Sequence, residues 1–344
     1  MIGIRVAPAP LVLLATLFLA GPVAGQTVRI IQTNAAGDNV HIIDPVTNEV
    51  VDVIMGIPIP HGVTSAPDGS VYYFSNEVDH TLDIVSTETL RVTAQIPLSG
   101  RPNNVAITPD GRKVYVAIAS DGFVDVIDVV ERRRSGRIRT MGGVHNVYVT
   151  PDGKHMVAGM IGARTLTVVD TETDQPLWSK HFPEGGVRPM TFATNADGST
   201  RWIFVQISSY HGVFVLDFAT KEVVRYLAMP ELPLTRVSND ALQGSPGHGL
   251  AVSPDGTKLW STSKPNSHVY AWSLPDFELL GGVEVGHDPD WLTQTPDGRF
   301  LYVANAGSNT VSVVDTERMI EIEQIRVGQV PKRNHTAILP GGTR

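Results

Sequence analysis

The chain contains no cysteine. Disulfides, thiolate metal sites, Cys-x-x-Cys-His haem attachment, cysteine nucleophiles and lipid attachment at an N-terminal cysteine are therefore excluded. Stability has to come from packing and from how the fold closes. Long apolar runs are also scarce. The longest, Leu11–Ala20, is too short to span a bilayer but suits a signal-peptide core. Arg5 precedes it, and Val23 and Gly25 fit the −3 and −1 positions of a cleavage site before Gln26. Residues 1–25 are thus expected to be a cleaved signal peptide. With no twin-arginine pair in the leader, the general secretory route is expected, and the protein should be periplasmic or secreted without stable membrane insertion. Positive charge is sparse as well. The formal net charge is −8, losing Arg5 makes it −9, and Arg132-Arg133-Arg134 is the only basic cluster. A nucleic-acid partner is not expected of so acidic a surface. Gly-x-Ser-x-Gly, His-Glu-x-x-His, P-loop and Rossmann motifs are missing, so an active site would have to be assembled from distant segments.

What the sequence does have is a repeat. A Pro-Asp-Gly turn recurs at Pro67-Asp68-Gly69, Pro109-Asp110-Gly111, Pro151-Asp152-Gly153, Pro254-Asp255-Gly256 and Pro296-Asp297-Gly298, with a degenerate copy at Asn195-Ala196-Asp197-Gly198 and a last one at Pro340-Gly341-Gly342. The usual spacing is 42 residues. Proline presets φ, aspartate bonds local backbone and glycine accepts positive φ, so each copy reads as a tight turn. Runs rich in Val, Ile, Tyr and Thr flank every turn, such as Val105–Thr108 before one and Val114–Ala117 after it. Their length and β-branching mark them as strands. Four strands per unit make one blade of a β-propeller. Six full units begin near His61, Arg101, Val144, Val187, His248 and His287. The segment Thr27–Met55 supplies three strands and Asn334–Leu339 a fourth. The expectation is an all-β, seven-bladed propeller over residues 26–344, closed by pairing of its N- and C-terminal segments in one blade.

The stretch Pro296–Asn305, reading Pro-Asp-Gly-Arg-Phe-Leu-Tyr-Val-Ala-Asn, is followed by Asn309-Thr310-Val311-Ser312-Val313-Val314-Asp315. This pattern resembles the YVTN-repeat (YncE-like) β-propeller family. The resemblance spans nearly the whole chain after the leader and implies the fold. It does not imply a single function, because such propellers include binding proteins, surface-layer proteins and a few enzymes.

In a propeller the first strand of each blade lines the central channel. Counting six residues back from each turn gives one column: His61, Asn103, His145, Pro189 or Met190, His248, Asp290 and Asn334. Arg101, Arg188, His287, Asp288, Arg333 and His335 lie within a few residues of it. Imidazoles and a carboxylate around one axis suit a divalent transition metal, so His61, His145, His248 and His287 are the candidate metal ligands. Asn103, Arg101, Arg188, Asp290, Arg333, His335 and Arg236 are the candidate ligand-binding residues. Arg236 belongs to a loop of some 16 extra residues within about 228–247, expected on the same face. Lys264, Asn266 and His268 fall in another loop of that face. Trp291 either packs between blades or offers a stacking surface. Tyr72, Tyr115, Trp260 and Tyr302 read as core. Two functions follow. One is a binding or scaffold protein that takes a ligand, a metal-bearing cofactor or a protein partner at the histidine-bearing mouth. The other is a metal-dependent lyase, hydrolase or oxidoreductase using the channel histidines.

Overall fold

The computed structural model describes residues 26–232 and 245–341. The proposed leader, and Arg236 with most of the long loop, lie outside the described residues. The described strands, numbered β1 to β28 in chain order, form seven separate four-stranded antiparallel sheets. In six of them the strands follow chain order, and the innermost are β4 (Pro60–Ser65), β8 (Pro102–Ile107), β12 (Val144–Val149), β16 (Val187–Thr194), β20 (Gly247–Val252) and β24 (Pro289–Gln294). The seventh blade has the order β28-β1-β2-β3, from β28 (Pro331–Leu339), β1 (Thr27–Asn34), β2 (Asn39–Asp44) and β3 (Glu49–Met55). The expected closure is therefore present, with Thr27 opposite Leu339 and Ile31 opposite His335. Each innermost strand touches the next around a complete ring, from β4 through β24 to β28 and back to β4. No helix among the described residues is long and apolar enough to cross a membrane.

The turn chemistry is as the residues require. The carboxylate of Asp110 accepts the Arg112 N–H at 3.0 Å, Asp152 does the same for Lys154 and Asp297 for Arg299. The glycines that follow have φ between 69° and 72° at positions 69, 111, 153, 256 and 298. Packing between blades supplies the core. Ile31, Val40 and Ile42 of the closing blade meet Tyr72, Phe74 and Val85 of the next, while Ile30 and Ile43 meet Tyr302, Val311 and Val313 of the last. Tyr72, Tyr115, Trp260 and Tyr302 are fully buried, as read from the sequence. The Tyr302 hydroxyl crosses to the closing blade and donates to Asn48 Oδ1 at 2.6 Å. The closed ring is thus tied by apolar contacts on both flanks of its composite blade, which removes the sheet edges an open stack would leave.

Candidate functional site

All seven innermost strands begin alike. Their first residues Pro60, Pro102, Val144, Val187, Gly247, Pro289 and Pro331 pair with Asn76, Ile118, Met160, Ile207, Ser263, Asn305 and Asn34, and the register slips immediately afterwards in every blade. Such a bulge re-aims the side chain it displaces. The residues at this slip are His61, Asn103, His145, Arg188, His248, Asp290 and Lys332, one from each blade. Every member of this ring is polar.

Five of the seven agree with the column counted from the turns. The other two differ, and for one reason. Counting back six residues presumes inner strands of equal length, whereas β16 has eight residues and β28 has nine against six in the others. The fourth member is Arg188 rather than Pro189 or Met190. The seventh is Lys332 rather than Asn334, whose amide instead donates to the Tyr302 carbonyl at 2.9 Å. Lys332 was legible, since Pro331-Lys332 repeats the Pro60-His61, Pro102-Asn103 and Pro289-Asp290 openings.

Buried ion pairs hold the ring. Asp290 has no exposed surface. Its carboxylate meets Lys264 Nζ directly, Lys332 Nζ at 3.3 Å and His248 Nδ1 at 3.6 Å. Burial would raise its pKa, but His248, Lys264 and Lys332 outweigh burial and hold the carboxyl well below the usual range. Lys264 stands on the turn after β21 (Lys258–Ser263) and also faces Asp288 at 3.3 Å. Across the mouth, His61 Nδ1 contacts Glu77, which Arg101 also reaches at 3.1 Å. Glu77 and Lys264 both come from loops joining second and third strands; the sequence put Lys264 in a loop of this face without a role, and Glu77 carried no signal there. Arg188 Nε donates to Ser208 Oγ at 2.8 Å.

The imidazoles of His145 and His248 lie edge to face with centroids 6.1 Å apart. Burial lowers both pKa values well below the ordinary value, and Arg333 lowers them further, so both rings are neutral near pH 7. His248 Nδ1 is 3.1 Å from the Asp290 carbonyl oxygen, which fixes that ring. The four histidines proposed as metal ligands do not form one set. His287 is exposed ahead of β24, His61 is turned to Glu77, and among the described residues no three His, Asp or Glu side chains gather as ligands.

Below the ring, Arg333 plugs the channel. Its Nη2 donates to Asn103 Oδ1 at 3.0 Å and Asn146 Oδ1 at 2.7 Å, and its guanidinium lies 3.9 Å from the centre of the Trp291 ring. Trp291 thus faces the channel, not the space between blades, because the bulge at Asp290 turns it inward. His335 lies further along, its Nε2 2.9 Å from Ser65 Oγ, and burial lowers its pKa to about 4. The long connection leaves and rejoins the fold at this face. Pro230 accepts from Asn266 at 2.8 Å, and Pro246 accepts the Lys264 backbone N–H.

A family model described as YNCE-like β-propeller matches residues 22–245. No curated protein sequence matches the chain. Among solved structures, the chain is similar to Kuenenia stuttgartiensis hydrazine synthase, at 21% identity and a TM-score of 0.71, over 82% of this chain and 90% of that one. It is also similar to a 6-phosphogluconolactonase candidate from Bacteroides fragilis, at 17% identity and a TM-score of 0.73, over 91% and 98%. Likeness at these identities concerns the fold.

Proposed function

The chain belongs to the YNCE-like β-propeller family, and from the ring at its channel mouth we propose that it is an extracytoplasmic binding protein. It takes a polar small molecule, or a polar segment of a partner, against that ring. The observation that carries this reading is the seven-residue polar ring itself, one side chain per blade, six of them buried. Groups of both signs stand there with neutral imidazoles, and the Asp290 ion pairs hold them in place, so a ligand meets a preorganised set of donors and acceptors. The signal-like run in residues 1–25 supports export.

The test uses protein isolated from the periplasm or medium, whose first residue should be Gln26. Thermal shifts are measured with amino acids, citrate and inorganic phosphate, on wild type and on Arg188→Gln. A shift in wild type that the variant loses supports the reading. Retention of the leader would refute export. No shift with any probe, or the same shift in both proteins, would refute the mouth as the binding site. Stoichiometric metal in protein purified without a histidine tag would favour the metal-dependent reading instead.

A further inference from the structure

Arg333 is costly where it stands. Its side chain is among the largest fully buried ones. Of the five N–H donors of a guanidinium, the Nη2 pair is met by the neutral amides of Asn103 and Asn146. Nε and Nη1 have no hydrogen-bond partner in the protein. The Tyr148 hydroxyl lies within hydrogen-bonding range of the group, and Asp290 and Glu77 are near enough to act on it electrostatically. Both carboxylates, however, are in direct contact with other cations, and among the described residues Arg333 forms no ion pair. A buried charge of this kind is expensive unless an opposite charge arrives.

Next to it is a cavity of about 250 Å³. The inner strands lining it contribute residues beyond their ring positions, so it lies on the side of Arg333 away from the histidines and toward the Pro-Asp-Gly turns. Arg333 is one of its lining residues. Its lining is more polar than apolar, with Thr64, Asn104 and Asn334 among the lining residues, and Trp291 and Tyr148 give it aromatic surface. Of the other ionisable groups there, His335 is neutral near pH 7 and burial keeps the Tyr148 hydroxyl protonated. At about 30 Å³ for a water-sized group, the space takes roughly eight such groups, close to the size of benzoate.

We infer that this chamber is a second binding site, for a small monocarboxylate with an aromatic body. The carboxylate accepts from Arg333 Nε and Nη1, and the ring lies against Trp291 and Tyr148. The site lies on the other side of Arg333 from the ring at the mouth, and the two share the Asn103 contact.

Benzoate is the probe. Calorimetric titration of wild-type protein should show one site, with a Kd of about 1 mM or tighter. Ala106→Phe fills the chamber while keeping Arg333, and should weaken binding by at least about tenfold with the protein still folded by circular dichroism. Crystals soaked in 4-bromobenzoate give a readout that needs no variant: the bromine anomalous peak should lie in the chamber beside Trp291. A peak only at the histidine-bearing mouth, undiminished affinity in Ala106→Phe, or no heat at probe concentrations of about 10 mM would each overturn the inference.

Discussion

Burial holds the imidazoles of His61, His145, His248 and His335 below their ordinary value of 6.5, with His335 at about 4. The unfolded chain therefore binds more protons than the folded one as pH drops below about 6.5, and stability must fall with it. His335 alone accounts for roughly 3 kcal/mol between about pH 6.5 and pH 4, since a tenfold difference in proton affinity between the folded and unfolded chain is worth about 1.4 kcal/mol. The urea midpoint should thus decline from about pH 7.5 to about pH 5, and His335→Gln should flatten the decline. A midpoint independent of pH over that range would contradict the burial of these rings. At this scale the sequence revealed identities and approximate positions. His61, Asn103, His145, His248 and Asp290 are where counting put them. It could not show that Glu77 turns to His61 or that Lys264 reaches Asp290 of the next blade, because contacts between a loop and an inner strand leave no periodic trace.

Turns repeat along the chain, but they do not carry equal structural weight. Gly69 and Gly256 both have φ of 70°. A Cβ at Gly256 would meet nothing within 4 Å, whereas one at Gly69 would stand 2.6 Å from the Ile338 carbonyl oxygen of β28. Replacing either by alanine carries the cost of a left-handed backbone, about 1 kcal/mol. Only Gly69→Ala also pushes apart the closing strand. Its loss of stability in chemical denaturation should exceed that of Gly256→Ala by about 1 kcal/mol or more. Equal losses would mean that β28 is not held against this turn. The repeat was plain in the sequence because turn chemistry is local, and six of the seven blades were legible from it. The lengths of β16 and β28 were not, since neither is set by the turn that follows, and the ring members Arg188 and Lys332 were displaced with them.

Closure joins the two ends of the fold, with Thr27 opposite Leu339 in one sheet. The chain order of the blades should then matter less than their circular order. A permutant in which a short linker joins these ends, with new termini between Val130 and Glu131 in an exposed hairpin turn, should fold with an unchanged far-ultraviolet spectrum. Its Tm should stay within about 10 °C of wild type. Aggregation of the permutant would show that the composite blade has to contain the natural ends. The same circular arrangement produces the channel. Seven residues, from His61 to Lys332, converge only because seven sheets share an axis.

Turn chemistry, strand periodicity and the complementary incomplete units at the two ends were sufficient by themselves to determine a seven-bladed propeller and the face on which His61, His145 and His248 would stand. Those signals arise between near neighbours or repeat at fixed intervals. The ion pairs of Asp290, the neutral state of the imidazoles, the inward turn of Trp291 and the isolated charge of Arg333 were decided only by tertiary structure. Each depends on burial and on distances between groups from different blades, quantities that exist only once the ring has closed.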